Sequence, residues 1–174
     1  NKSIQIDNKI ISDFSPTFIV AEAGVNHGGD INLAKKLIDL AVDSGADAVK
    51  FQTFKAEHLI LSNVKKAPYQ LKTTEVSQSQ MDMLRSLEVT RDQNLELKKY
   101  CLSKNIIFLT TPFDEISLDE LDELDLPAYK VASTDLTNLP FLKKIAKKNK
   151  PILLSTGMSY LSEISKALET IYEF

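Results

Sequence analysis

Short apolar runs alternate with amphipathic segments along the chain, and this alternation narrows the possible folds more than any other feature. The runs are FIVAEAG from Phe18, DAVKFQTF from Asp47, IIFLTTPF from Ile106, AYKVAS from Ala128 and PILLSTG from Pro151. Each is rich in β-branched or aromatic residues and short enough to be a strand. The segments between them have helical spacing. Leu33, Leu37, Ile38, Ala41 and Val42 mark one face of the first, with Asp30 placed to cap it and Gly45 to end it. Thr90 caps a second that carries Leu95, Leu97, Cys101 and Leu102 and can end at Asn105. A third is the acidic run SLDELDELDL, stopped by Pro127 and expected to present a solvated face. A fourth starts near Asn138 with Pro140 in its first turn, and a fifth runs from about Tyr160 to Phe174. Before the first of these strands, SIQIDNKIIS alternates apolar and polar residues around a turn and reads as a small hairpin.

Strand–helix–strand repetition with buried strands predicts parallel pairing and right-handed crossovers. Two α/β architectures fit: a doubly wound open sheet, or part of a (βα)8 TIM barrel. No Gly-x-Gly-x-x-Gly follows any strand, and polar residues gather at the C-terminal ends of all five, which favours the barrel. A barrel needs eight strands. Residues 1–174 would thus supply roughly its first five βα units as the N-terminal part of one domain, and a longer parent protein is expected. The stretch from Lys55 to Val89 is too long for a plain connection, and long loops in compact domains are usually functional or disordered.

Bulk properties exclude several classes. Net charge is −3, which gives no footprint for nucleic acid or an anionic membrane surface. No apolar run approaches the roughly 20 residues of a membrane span, and NKSIQID lacks a signal-peptide core. The single cysteine, Cys101, permits no internal disulfide, fits a reducing cytoplasm and reads as a core filler.

The candidate chemistry lies at the strand ends. Side chains alternate along a strand, so in AVKFQTF Lys50 and Gln52 share one face while Val49, Phe51 and Thr53 share the other. The apolar pair suits packing beneath a helix, which points Lys50 and Gln52 into the barrel, where a charge is costly unless it meets an anion. AYKVAS repeats the idea with Lys130, followed by Ser133. Thr110 and Thr111 end the third strand, and Ser155 and Thr156 the fifth. Two lysines on different strands, beside short hydroxyls, make a place for a doubly charged group such as phosphate. Against this stands a purely stabilising pair of Lys50 with Glu22, and each hydroxyl taken singly reads as a turn or cap residue. Glu22 could orient the lysines or manage a proton. His27 either bonds backbone in its glycine-flanked loop or touches a ligand, and His58 has no visible partner. No cluster has metal-ligand spacing.

GVNHGG, KFQTF, KAPYQ, TTPFD, PAYKVAS, NLPFL and ILLSTGM, in this order, resemble the bacterial sialic acid synthase family, which includes N-acetylneuraminate, legionaminic and pseudaminic acid synthases. The resemblance runs from about Phe18 to the end of the chain, and the ordered set is far more specific than any one motif. It implies a TIM barrel followed by a small antifreeze-like domain. It implies condensation of phosphoenolpyruvate with an N-acetylated amino sugar, N-acetylmannosamine by default or a 2,4-diacetamido hexose, to a nine-carbon 2-keto acid and phosphate. A divalent metal, Mn2+ or Mg2+, and a homodimer when full length are also implied. The metal histidines and the antifreeze-like domain fall outside this chain, so the segment alone is expected to be inactive.

By the same resemblance, Lys50, Thr111, Lys130, Ser133 and Ser155 hold the phosphate and carboxylate of phosphoenolpyruvate. Gln52 lies near the acceptor sugar, Glu22 near the reacting centre, and Tyr69 and Gln70 on a loop that helps cover the site. Two other readings stay open. One is a Schiff-base aldolase using Lys50 or Lys130 as an amine nucleophile. The other is a non-catalytic fragment that binds ligand weakly.

Overall fold

The structure is a computed structural model, and it describes residues 3–60 and 79–174. The opening alternation folds into an antiparallel hairpin of β1 (Ile4–Ile6) and β2 (Lys9–Ile11), turned at Asp7. Five strands follow, and all the pairings among them are parallel: β3 (Val20–Gly24), β4 (Ala48–Thr53), β5 (Ile107–Pro112), β6 (Tyr129–Val131) and β7 (Ile152–Leu154). Hydrogen-bonded ladders join β3 to β4 to β5 and, separately, β6 to β7. β6 lies beside β5 without a ladder between them. The order in space is therefore the order in sequence, as expected for consecutive βα units of a barrel.

The helices start and stop where local chemistry directs. α1 (Ile31–Asp43) begins at Asp30, whose carboxylate accepts from the amides of Asn32 and Leu33, and ends before Gly45 at φ +74°. After β4 come two short helices, α2 (Ala56–Leu59) and α3 (Gln80–Arg85). Thr90 and Gln93 close a reciprocal capping box on α4 (Arg91–Ser103), and Asn105 turns out of it with φ +56°. α5 (Glu115–Asp122), α6 (Leu139–Ala146, capped by Asn138 with Pro140 in its first turn) and α7 (Leu161–Tyr172) complete the outer layer.

The strands have two differently filled faces. Val49, Phe51, Phe108, Tyr129 and Val131 face the helices and pack with Ile38, Leu97, Leu118, Leu142 and Ala167 in the main core. Full burial of a large apolar side chain is worth about 1.5–3 kcal/mol, so this layer carries much of the stability. The opposite face forms a second core of Ala48, Ile107, Leu109 and Ala128, into which the hairpin inserts Ile6. The hairpin thus plugs the N-terminal end of the barrel. Asp47 fastens it there, accepting from the amide of Ile19 at 2.8 Å and pairing with Lys9 at 2.7 Å.

Three expectations need correction. The acidic helix does not run to Pro127 but ends at Asp122. Asp125 takes φ +48°, and the Lys98 ammonium donates to the carbonyls of Leu124 and Asp125 in the turn that follows the helix. The acidic face is exposed but not simply solvated. Lys144 pairs with Glu115, Lys148 with Asp119 and Asp122, and Arg91 with Glu123. Finally, Leu33 and Leu102 are exposed. The buried lines run through Ala34, Ile38 and Ala41 in α1 and through Asn94, Leu97 and Cys101 in α4, which leaves the neighbouring leucines turned about 100° away.

Candidate active site

The register of the ladders decides which side chains meet. Glu22 pairs in register with Lys50, Gln52 with Thr111, and Lys130 with Leu153. Val49 and Phe51 lie in the outer core while Ala48 lies in the inner one, so Lys50 and Gln52 project to the barrel interior above Ala48. Tyr129 and Val131 likewise pack outward, which turns Lys130 inward. Both lysines thus stand on the same side of the sheet, at the C-terminal mouth.

Their contacts are specific. Lys50 is 8 % exposed, pairs with Glu22 at 2.5 Å and donates to Thr111 Oγ1 at 3.4 Å. Lys130 donates to the carbonyl of Val131 at 2.6 Å and to Ser155 Oγ at 2.5 Å. Burial pushes the Lys130 pKa below its ordinary value of 10.5, and the nearby Lys50 charge lowers it further, while Glu22 opposes both. The two ammonium groups therefore feel one another across β5. Among Lys50, Lys130 and Glu22, two cations against one carboxylate leave a net positive charge, suited to an incoming dianion.

A stabilising Lys50–Glu22 pair does not account for this arrangement. The Glu22 side chain is 55 % exposed, and an ion pair with so wet a partner is worth about 0–1 kcal/mol. Placing a second ammonium beside the first costs free energy in the unliganded fold. Sites that pay such a cost are commonly functional.

The remaining expected residues are placed as follows, apart from two that lie outside the described chain. Thr111 is buried beside Lys50. Ser133 opens a short 3-10 turn, Ser133–Asp135, at the end of β6 and faces Gly157, whose added Cβ would lie 3.8 Å from it. Gln52 and Glu22 both border Gly24, where β3 bulges with φ +54°; a Cβ there would stand 3.1 Å from Glu22 Oε1 and 3.6 Å from Gln52 Nε2. Glycine at that position leaves space open between the acid and the amide. Tyr69 and Gln70 lie outside the described residues. Among the described residues, no three His, Cys, Asp or Glu side chains come together as a metal site.

His27 and His58 take no part. The His27 ring lies on the outer side of β4, its centroid 6.1 Å from that of Phe51, and its Nδ1 accepts from the Gly29 amide at 2.9 Å. The backbone-bonding reading is the one realised. That acceptor role leaves the proton on Nε2, a buried atom with no hydrogen-bond partner, and burial lowers the ring's pKa from 6.5. The fold favours the neutral ring, so below about pH 6.5 the unfolded chain binds the extra proton more readily. Stability carried by His27 is complete above that pH and declines as the pH falls toward the folded value. The unfolding free energy from denaturant titrations at neutral to mildly acidic pH is expected to fall by up to about 1.4 kcal/mol per pH unit from this group. The slope should flatten in a His27→Asn variant. His58 is exposed at the end of α2. Cys101 is fully buried, and burial pushes its thiol pKa up to about 12, the behaviour of an inert core filler.

Sequence reasoning missed two acids at the mouth. Asp114 ends the third strand's loop and is 7 % exposed; the D-x-x-S capping pattern ahead of α5 was its visible signal. Asp135, two residues beyond Ser133, has a buried carboxyl oxygen without a partner, and burial raises its pKa. No sequence signal separates it from an ordinary turn aspartate.

Residues 37–173 match the profile of the NeuB family. The chain belongs to the NeuB family. It is 57 % identical over 155 residues to an N,N'-diacetyllegionaminic acid synthase of Campylobacter jejuni, covering 89 % of this chain and 46 % of that protein. A second protein of the same name, from Legionella pneumophila, is 46 % identical over 88 % of this chain and 43 % of its own length. Among solved structures, the N-acetylneuraminic acid (sialic acid) synthetase of Leptospira borgpetersenii in complex with citrate superposes with a TM-score of 0.83 at 34 % identity, covering 99 % of this chain and 55 % of that one. This NeuB chain is therefore an α/β, partial barrel that spans about half the length of the curated relatives it matches. No helix among its described residues is long and apolar enough to cross a membrane.

Proposed function

We propose that this chain is the phosphoenolpyruvate-holding N-terminal barrel portion of a synthase that joins phosphoenolpyruvate to an N-acetylated amino sugar. The observation that carries the reading is that Lys50 and Lys130, from separate strands, turn to the same side and feel one another's charge, with Thr111 on Lys50 and Ser155 on Lys130. The inner cluster's surplus positive charge suits phosphate and carboxylate together, and rigid strands hold the donors without reorganisation. The enol carbon of phosphoenolpyruvate attacks the aldehyde carbon of the open-chain sugar, forming the new carbon–carbon bond. The enolpyruvate C2 becomes oxocarbenium-like, takes up water and then expels phosphate, leaving the 2-keto acid. In this scheme Lys50, Lys130 and the hydroxyls stabilise the leaving phosphate, Glu22 accepts the proton that the water loses, and the former aldehyde oxygen takes up a proton to become the new hydroxyl. Gln52 faces the sugar across the gap at Gly24. The divalent metal implied by the resemblance finds no ligand set among the described residues, so no step is routed through it.

The sugar is proposed to carry two acetamido groups. Identity is 57 % and 46 % to proteins named for a diacetylated product, against 34 % to an N-acetylneuraminic acid synthetase. N-acetylmannosamine is the competing acceptor. Phosphate release by the complete enzyme should require both phosphoenolpyruvate and sugar and should be faster with a 2,4-diacetamido hexose than with N-acetylmannosamine. Equal or inverted rates would reassign the acceptor, and release with neither sugar would end the synthase reading.

One observation favours a second reading. The lowered pKa of Lys130 is a property that a Schiff-base lysine needs. Its donation to Ser155 and Val131 instead uses the ammonium as a hydrogen-bond donor. Borohydride reduction in the presence of pyruvate is expected to leave the protein unmodified; a trapped adduct on Lys130 or Lys50 would establish the aldolase.

A further inference from the structure

The chain leaves β4 just beyond Gln52, and there two carboxylates grip consecutive backbone amides. Asp114 Oδ2 accepts from the Lys55 amide at 2.8 Å, and Glu88 Oε1 accepts from the Ala56 amide at 2.7 Å. Asp114 reaches this strand exit from 59 positions further along. The same carboxylate caps α5, with Oδ1 accepting from the Ser117 amide and Oδ2 from the Ser117 hydroxyl, both at 2.8 Å. A cap alone needs one acceptor, which serine or threonine would supply. The second oxygen carries the β4–β5 connection one step past the last ladder pair, Thr53 with Pro112. The Phe113 amide, one residue before Asp114, donates to the Thr53 carbonyl at 3.1 Å and extends the ladder to the same point. Phe54 and Phe113 then meet edge to face at 6.4 Å, in the small core with Met83 and Leu84.

Gln52 sits three residues before Lys55, on the strand that this bridge immobilises. Lys130 and Ser155, which belong to β6 and the end of β7, are not attached to it, and Lys50, further back on the same strand, is held by its own contacts to Glu22 and Thr111. We infer that Asp114 is a positioning residue for the acceptor-sugar side of the site: its carboxylate holds the exit of β4, and through it the place of Gln52, relative to the β5 tip. The inference rests on the synthase reading for the identity of the substrates.

Asp114→Asn separates the bridge from the cap. Asparagine is as good an N-cap as aspartate and keeps an oxygen for the Ser117 amide, but its NH2 cannot accept from Lys55. In the complete enzyme this variant is expected to raise the KM for the sugar by about tenfold, the usual scale for losing a charge-assisted hydrogen bond. The KM for phosphoenolpyruvate should stay within about twofold, because Lys50 and Lys130 keep their contacts. Hydrogen exchange should show the Lys55 amide losing protection while the Ser117 amide keeps it. Parallel loss of both KM values, or an unchanged sugar KM with a deprotected Lys55 amide, would overturn the positioning role. A Lys55 amide that stays protected in the variant would overturn the bridge itself. A wild-type enzyme that releases no phosphate with either sugar would instead bring down the synthase reading, and the substrate assignment with it.

Discussion

Replacing Lys130 by methionine in the complete enzyme is expected to lower turnover by about 100-fold or more while leaving the protein as stable as before, or more so. The two halves of this expectation have one cause. Methionine keeps the apolar stem and removes the ammonium, which in the fold is partly desolvated and repelled by Lys50. Its hydrogen bonds to Ser155 and the Val131 carbonyl recover only part of that cost. In the unliganded protein the charge is therefore a burden, and it becomes favourable only when an anion arrives between the lysines. On the proposed reaction the transition state for phosphate departure would concentrate negative charge there, so the loss should fall on kcat more than on ground-state binding. Steady-state phosphate release and a thermal melt on the same preparation check both halves. A variant that melts markedly earlier would show that Lys130 serves the fold, as a stabilising group would. One that keeps normal turnover would remove it from the reaction.

Gly29→Ala should produce the largest loss of stability from a single methyl group. Gly29 has φ +83°, a region that L side chains rarely adopt, and an added Cβ would stand 2.2 Å from the backbone carbonyl oxygen of Ser86. The obstacle is backbone, so it cannot swing aside as a side-chain tip could. Left-handed strain alone costs about 1–3 kcal/mol, and the clash adds to it. The expected total exceeds about 3 kcal/mol, which for a domain of this size lowers the melting temperature by roughly 6–12 °C. The Gly29 amide also donates to His27 Nδ1, so displacement of the loop would free the buried ring. The pH slope assigned to His27 should weaken in the same variant. A melting temperature within a degree of wild type would mean that the loop and the turn after α3 can part without cost.

Much of this arrangement could be read from residues before any coordinates. The five strands, the hairpin, the caps at Asp30, Thr90 and Asn138 and the exit at Gly45 all depend on neighbours within a few positions, where propensity and hydrogen-bonding options are strong. Alternation alone turned Lys50 and Gln52 away from Phe51. What failed depended on partners far along the chain. α5 stops at Asp122, and a lysine from α4 takes the carbonyls of Leu124 and Asp125 just beyond it, a contact that no local pattern announces. The bridge from Asp114 to Lys55 and the unpartnered carboxyl of Asp135 are equally silent in the sequence. Leu102 counts with Leu95, Leu97 and Cys101 among the apolar residues of its helix, yet one residue of rotation past the buried Cys101 carries it into solvent.

The amino-acid sequence by itself determined which segments become strands and helices, which face of each strand is apolar, and that two lysines and several hydroxyls stand at strand ends. These follow from periodicity and local hydrogen bonding, whose energies are settled within a turn or two of chain. Only the tertiary structure decided that Lys50 and Lys130 stand near enough to feel one another, that the half-exposed Glu22 pairs with Lys50, and that the exit of β4 is bonded to Asp114. Electrostatic coupling falls with distance through space, and separation along the chain carries almost no information about that distance until the strands are in register.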